Sequence, residues 1–317
     1  MARPLRIQYP GAFYHITARG NERRAIFSSD RDRKRLLSLF SEAALRYRLS
    51  IHTYCLLENH YHLLLETADA NLSQAMHFIN GGYTSYYNRI HHRSGHLFQG
   101  RYRAILVDKD TYAMILSRYI HLNPVRAGLS SRPQDYRWSS YSAYLHPKER
   151  PTWLETSFIL GYFGSKEEEA RRGYRPFVEE GMGEKVSDPL AGTISGILLG
   201  REEFIEWVRE NVIQGTKKDR DLPALRQLRS RPSLERVKEI VQTSLGKNHR
   251  WARDVSLLLC RRYAGGSLRE IGVLHGRMGE SAASQAIGRL VRRMEQDKQL
   301  KREVTRTELE VRKLSTV

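Results

Sequence analysis

Long apolar runs are missing from this 317-residue chain. None approaches the ~20 residues that a membrane-spanning helix needs, so no membrane partner is expected. The opening stretch, MARPLRIQYPGAFYHI, has no uninterrupted apolar segment and no secretory cleavage pattern, which makes a cytoplasmic location the expectation. Cysteine is almost absent too. Cys55 and Cys260 lie far apart, without the spacing of metal ligands, so a disulfide framework and a cysteine-rich metal site are both excluded. Internal repeats and low-complexity tracts are lacking as well. The remaining shortage is of acid: 35 Asp and Glu stand against 53 Lys and Arg, a formal charge of +18.

That excess draws polyanions, because each phosphate neutralised by a Lys or Arg releases condensed counterions. The charge is unevenly placed. Residues 1–145 carry 20 basic and 10 acidic side chains, residues 146–216 carry 9 and 13, and residues 217–317 carry 24 and 12. Three parts are therefore expected: a basic unit 1–145, an acidic helical connector 146–216 with no assignable chemistry, and a basic helical unit 217–317. Charge alone does not separate DNA from RNA or an acidic membrane surface.

Within the first part, periodicity predicts alternating strands and helices. AFYHITARG (12–20) sets Phe13, His15 and Thr17 on one face and Tyr14, Ile16 and Ala18 on the other, a strand pattern. Residues 29–48 place Leu36, Leu37, Phe40, Ala43, Ala44 and Tyr47 at helical spacing behind a Ser/Asp cap region. IHTYCLLE (51–58) and HYHLLLE (60–66) read as two strands joined at Asn59. A helix is expected over 71–91, an extended segment over 96–108 and a helix over 111–122. The order β-α-β-β-α-β-α is ferredoxin-like, an α+β class with an antiparallel sheet and helices on one face.

Two constellations carry chemistry. His60 and His62 alternate with Tyr61, so they share one strand face ~7 Å apart and can converge on a divalent ion. A half-exposed strand with merely polar histidines would look the same. Tyr119 and Asn123 stand at i and i+4 in SRYIHLNPVRAG, on one helix face. A phenol beside a polarised phosphate is a nucleophile, and the amide oxygen a turn later is a possible third metal ligand. The alternatives are a core tyrosine with a satisfied hydroxyl, and an Asn that caps a new turn ahead of Pro124.

The segments ARPLRIQYPGAFYHITARGN, ENHYHLLLE, GHLFQGRYRAILVD, SRYIHLNPVRAG and DYRWSSYSAYL fall in the order seen in REP-associated tyrosine transposases, and over about residues 2–145 the chain resembles that family of single-tyrosine HUH transposases. The resemblance implies an HUH endonuclease fold in which His60, His62 and Asn123 hold Mg or Mn and Tyr119 attacks a DNA phosphate. A 5′-phosphotyrosine link and a free 3′-hydroxyl would result, and the link conserves the bond for rejoining. It also implies single-stranded hairpins from repetitive palindromes as substrate, met by Arg19, Asn21, Arg101 and Arg103, with bases stacked on Tyr86, Tyr87 or Phe98. The chain departs from the family where Leu57-Glu58 replaces Met-Pro and Tyr61 replaces an aliphatic residue.

In the last part, Ser233 opens one helix, and Ser267 with Glu270 forms an S-x-x-E capping box for another. SLREIGVLHGRMGESAASQAIGRLVRRM resembles the helix-turn-helix of the bacterial replication initiator. That implies Ile271, Leu274, Ala283, Ile287 and Leu290 facing inward, with Ser281, Ser284, Gln285 and Arg289 turned toward duplex DNA. The last ~15 residues are expected as a frayed helix or tail. Two other readings compete with a transposase: a non-catalytic repeat-binding regulator of the same fold, and an RNA binder using the sheet. Monomer and homodimer are both open.

Overall fold

The computed structural model describes residues 6–182, 188–194, 196–213, 232–247, 249–264 and 267–314. They fall into two compact units that divide at residue 215. In the first, β1 (Ala12–Arg19), α1 (Asp30–Tyr47), β2 (Leu49–Leu56), β3 (His60–Thr67), α2 (Leu72–Ile90), β4 (Arg103–Val107) and α3 (Lys109–Arg126) follow the expected order. The sheet order is β2-β3-β1-β4-β5, and the pairs among its first four strands are antiparallel, the ferredoxin-like arrangement. A fifth strand, β5 (Leu198–Leu199), adds parallel to β4.

Local chemistry sets the boundaries. The Ser29 hydroxyl accepts from the Asp32 amide while the Asp32 carboxylate accepts from the Ser29 amide, so two orphan donors at the start of α1 are satisfied reciprocally. The extended segment expected over 96–108 shrinks to Arg103–Val107, with the Phe98 backbone joined to Gly20 by an isolated bridge. α3 runs on through Pro124 to Arg126. Asn123 is thus a helical residue, not the cap of a new turn.

The helices cover both sheet faces, where one was expected. Phe40 of α1 packs on Tyr61 at 5.5 Å between ring centroids, and Asn80 of α2 accepts from the Tyr61 hydroxyl at 2.6 Å. On the opposite face Phe13, Cys55, Leu64 and Ile105 join Leu116 and Ile120 of α3 in one core. β3 is buried along most of its length on both sides, so an uncovered face would leave its leucines in water.

The segment expected as a separate connector belongs to this same unit. Ahead of it lies α4 (Tyr141–Leu145), and its own helices include α5 (Ser157–Leu160), α6 (Glu167–Glu180) and α7 (Glu202–Val208). Ala170, Tyr174 and Val178 of α6 are buried against α3, and the acidic side chains face outward. Residues 138–155 and β5 close the two edges of the sheet. Leu56 donates to Trp138, Ser140 to Tyr54 and Glu155 to Ile51 along β2, while β5 covers β4. Unpaired edges would template pairing with other chains.

In the second unit the helices Leu234–Leu245, Ala252–Leu259, Leu268–Leu274, Glu280–Gln296 and Lys298–Leu314 surround a core of Val237, Val255, Leu258, Ile271, Ala283, Leu290 and Val304. Leu274 and Ile287 pack partly buried against it. The capping box at Ser267 and Glu270 forms as expected. A Cβ at Gly272 would collide with the Met278 carbonyl, so only glycine lets the turn fold back on its helix. The final helix reaches Leu314 with Val304 and Val311 buried, in place of a frayed tail.

A chain ending at residue 150 should therefore lose cooperative unfolding, whereas one ending at 215 should keep it. Tyr174→Ala should cost about 3–5 kcal/mol, as large core truncations do. Urea or thermal unfolding followed by circular dichroism measures both. Equal midpoints for the two truncated chains would contradict the packing described.

Candidate functional site

The β1–β3 register puts Thr17 opposite His62 and Arg19 opposite His60, and the β1–β4 register puts Arg103 opposite Thr17. Strand alternation then gathers His15, Thr17, Arg19, His60, His62 and Arg103 on one face. This is the face that α3 covers. Tyr119 reaches toward the two innermost histidines, its ring 6.1 Å from that of His62 and 6.2 Å from that of His15, nearly perpendicular to both. The rings of His60 and His62 are 5.0 Å apart. The turn to Leu57-Glu58-Asn59 ends β2 before this face begins, so exposed Glu58 stays off it and Tyr61 points to the opposite face.

All three histidines are held neutral. Burial lowers His60 to about 4, with Arg19 adding to the shift. His15 is lowered to about 3 by burial and then by Arg103. His62 lies well below its usual value because it is buried beside His15 and His60. Neutral imidazole is the form that binds a metal. The Nδ1 atoms of the two candidate ligands are already engaged. His60 Nδ1 meets Asn59 Oδ1 at 2.6 Å, and Asn59 is itself fixed by donating to the Arg23 carbonyl at 3.0 Å. His62 Nδ1 meets His15 Nε2 at 2.9 Å. The Nε2 atoms of His60 and His62 are thereby left to an incoming ligand.

Asn123 follows Tyr119 by one turn of α3. Its Nδ2 is buried and has no partner among the described residues. The O and N of an amide are interchangeable by a half-turn, and that rotation presents Oδ1 at the same place. Two imidazole nitrogens and one carboxamide oxygen suit a divalent cation that completes its shell with water or phosphate oxygens. Among the described residues no group of three His, Cys, Asp or Glu side chains forms a metal site, so the fit rests on this mixed set.

The Tyr119 hydroxyl has no hydrogen-bond partner among the described residues, and its ring is half-buried at the edge of the core. Burial raises its pKa, Asp188 raises it further, and Arg126 and Arg103 pull it down. The Arg126 guanidinium stands 5.0 Å above the ring. A cation over a phenol ring stabilises the phenolate as charge develops on it. Behind the site, His121 ties α3 in place through Tyr174 at 2.7 Å and Ser140 at 2.8 Å.

Of the basic candidates, Arg19 and Arg103 are exposed at the rim of this face, and Asn21 lies exposed in the turn after β1. In that turn a Cβ on Gly20 would strike the Arg24 carbonyl, and Gly20 and Asn21 donate to Asn59 and Leu97. Arg101 stands elsewhere. It lines a cleft of about 510 Å³ between α2 and residues 96–102, with Arg6, His77, Asn80 and Tyr102. Tyr87 and Phe98 are core residues, 4% and 7% exposed, and are not available for stacking. Tyr86 keeps part of its ring outside, with its hydroxyl bonded to Asp32 at 3.2 Å. In the second unit Ser281, Ser284, Gln285 and Arg289 are all exposed on the helix Glu280–Gln296. His15, Asn59 and Arg126 were not among the residues expected at the site. His15 was visible as the strand partner of Thr17, but only pairing with β3 brings it to His62.

The face thus sets two neutral histidines beneath a phenol carried by α3. Residues 8–123 match the model of a family described as "Transposase IS200 like", a span that contains His60, His62, Tyr119 and Asn123. A solved structure of a REP-associated tyrosine transposase bound to a REP hairpin is 16% identical, with a TM-score of 0.40 over 48% of this chain and 89% of that one. No curated protein matches. None of the described helices is long and apolar enough to cross a membrane.

Proposed function

We propose that the first unit is a DNA transposase that cuts and rejoins single strands at hairpins of palindromic repeats, with Tyr119 as nucleophile. The observation that supports this reading is that Tyr119 stands over His62, with His60 beside it on one covered sheet face, and that Asn123 follows Tyr119 by one turn of α3. A regulator that only bound repeats would need none of the four.

Held by His60, His62 and Asn123, Mg or Mn would withdraw charge from a non-bridging oxygen of the scissile phosphate. Tyr119 Oη attacks phosphorus as its proton leaves to solvent, and Arg126 and Arg103 offset the negative charge that develops on it. The P–O3′ bond breaks, its electron pair stays on O3′, and that oxygen takes a proton. The products are a 5′-phosphotyrosine and a free 3′-hydroxyl. A second 3′-hydroxyl reverses the step and reseals the strand. Arg19 and Asn21, at the rim, position the backbone next to His60. Arg101, on the cleft side of α2, contacts DNA away from the reacting phosphate.

The second unit adds affinity for duplex. Ser284, Gln285 and Arg289 lie along one exposed helix face, as a recognition helix would present them.

Wild-type protein with Mn or Mg and a labelled single-stranded hairpin from the gene's own flanks should give an SDS-resistant adduct. Tyr119→Phe should abolish the adduct and leave DNA affinity within about twofold. His60→Ala and His62→Ala should each remove most metal-dependent cutting. An adduct that persists in Tyr119→Phe, or cutting that survives excess EDTA, would overturn the mechanism. For the second unit, Gln285→Ala should weaken binding to a preferred duplex by about 1–3 kcal/mol and leave non-specific binding unchanged. Equal losses on every sequence would remove its base-reading role.

A further inference from the structure

The hydrogen bond between His15 and His62 assigns His15 a task that neither the fold nor the candidate ligand set requires. His15 Nε2 and His62 Nδ1 are 2.9 Å apart, the ring planes differ by 10°, and the centroids are 5.2 Å apart. With centroids so much farther apart than the nitrogens, the rings meet edge to edge nearly in one plane. That is the geometry of an N–H···N bond and not of face-to-face stacking. Both residues are buried, His15 at 2% and His62 at 5% exposure.

A neutral imidazole carries one proton, so the bond has two possible directions. If His15 Nε2–H donates, the single proton of His62 sits on its Nε2 and no lone pair remains for a cation. If His62 Nδ1–H donates, His62 Nε2 keeps its lone pair, and the proton of His15 sits on its Nδ1. That Nδ1 is buried and has no partner among the described residues. The neighbouring ligand resolves the same question by other means. Asn59 Oδ1, whose own amide nitrogen is committed to the Arg23 carbonyl, accepts from His60 Nδ1 and frees His60 Nε2. The two candidate ligands thus have parallel supports, a carboxamide for one and an imidazole for the other.

We propose that His15 is a positioning residue that accepts from His62 Nδ1–H and thereby holds His62 in the tautomer whose Nε2 can bind a divalent cation. This rests on the cation site proposed above, and it adds a residue to that site. Supports of this kind are worth about 10- to 100-fold in metal affinity. Thr17 Oγ1, at 3.4 Å from His62 Nδ1, is a longer and weaker alternative acceptor, so loss of His15 should weaken the site without erasing it.

The test uses the full-length chain and has two arms. In the first, nitrogen-detected NMR on metal-free wild-type protein with labelled histidine should show His62 protonated at Nδ1 and coupled across the hydrogen bond to His15 Nε2. Protonation of His62 at Nε2 would overturn the proposal. In the second arm, Mn²⁺ affinity is measured by calorimetry. His15→Phe removes the acceptor and should weaken Mn²⁺ binding about 10- to 100-fold, whereas His15→Gln, whose Oε1 can accept the same proton, should stay within a few-fold of wild type. Wild-type affinity in His15→Phe would overturn the proposal, as would equal losses in both variants at unchanged melting temperature. Wild-type protein with the expected tautomer and no Mn²⁺ binding would support the positioning of His62 and sink the cation site.

Discussion

The pairing of β1 with β3 in one register is the constraint on which the site depends. Thr17 opposite His62 and Arg19 opposite His60 place every polar group of the site on the α3 side. A slip of one residue would send them all to the other face. What forbids the slip lies on that other face. Tyr14, Ile16, Tyr61 and Leu63 are fully buried there. Each such side chain contributes about 1.5–3 kcal/mol by leaving water, so the apolar face fixes the register and the polar face inherits its geometry. The histidines make no comparable contribution of their own, since burial only disfavours their charged forms.

The second requirement is that α3 stay over the histidines. Leu116 and Ile120 hold it to the sheet, and His121 bonds outward to Tyr174 and Ser140, so α6 and the strand-edge segment clamp the helix from behind. Tyr119 is then presented without a hydrogen bond that an attack would have to break. Arg19 and Arg103 act on neutral histidines and Arg126 on Tyr119, and their positive field attracts an anionic group such as a phosphodiester.

Much of this was legible along the chain. The strand alternation around His60 and His62, the i and i+4 spacing of Tyr119 and Asn123, the Ser/Asp cap region before α1 and the capping box at Ser267 are local patterns, and local patterns survive folding. What stayed hidden was non-local. His15 looks like one polar residue in a strand until β3 pairs with it. Asn59 was visible as the joint between two strands but not as the support of His60. Arg126 follows Tyr119 by seven positions and reaches its ring because the helix continues through Pro124, where a stop was the natural expectation. The acidic stretch after residue 145 gave no hint that Tyr174 fills the core behind the site or that Leu154 and Glu155 pair with Ile51 at the edge of β2. Phe98 and Tyr87, aromatic and close to basic residues, suggested stacking platforms, but their burial assigns them to packing.

The central claim is that His60 and His62 act together on one cation beneath Tyr119. Pulsed electron paramagnetic resonance of Mn²⁺ bound to the full-length protein tests it directly, because imidazole nitrogens modulate the electron spin echo of a metal they bind. Echo modulation from two histidine nitrogens in wild type, reduced to one in His60→Ala and in His62→Ala, is the result expected. Modulation that is absent from wild type, or unchanged in both variants, would contradict the account.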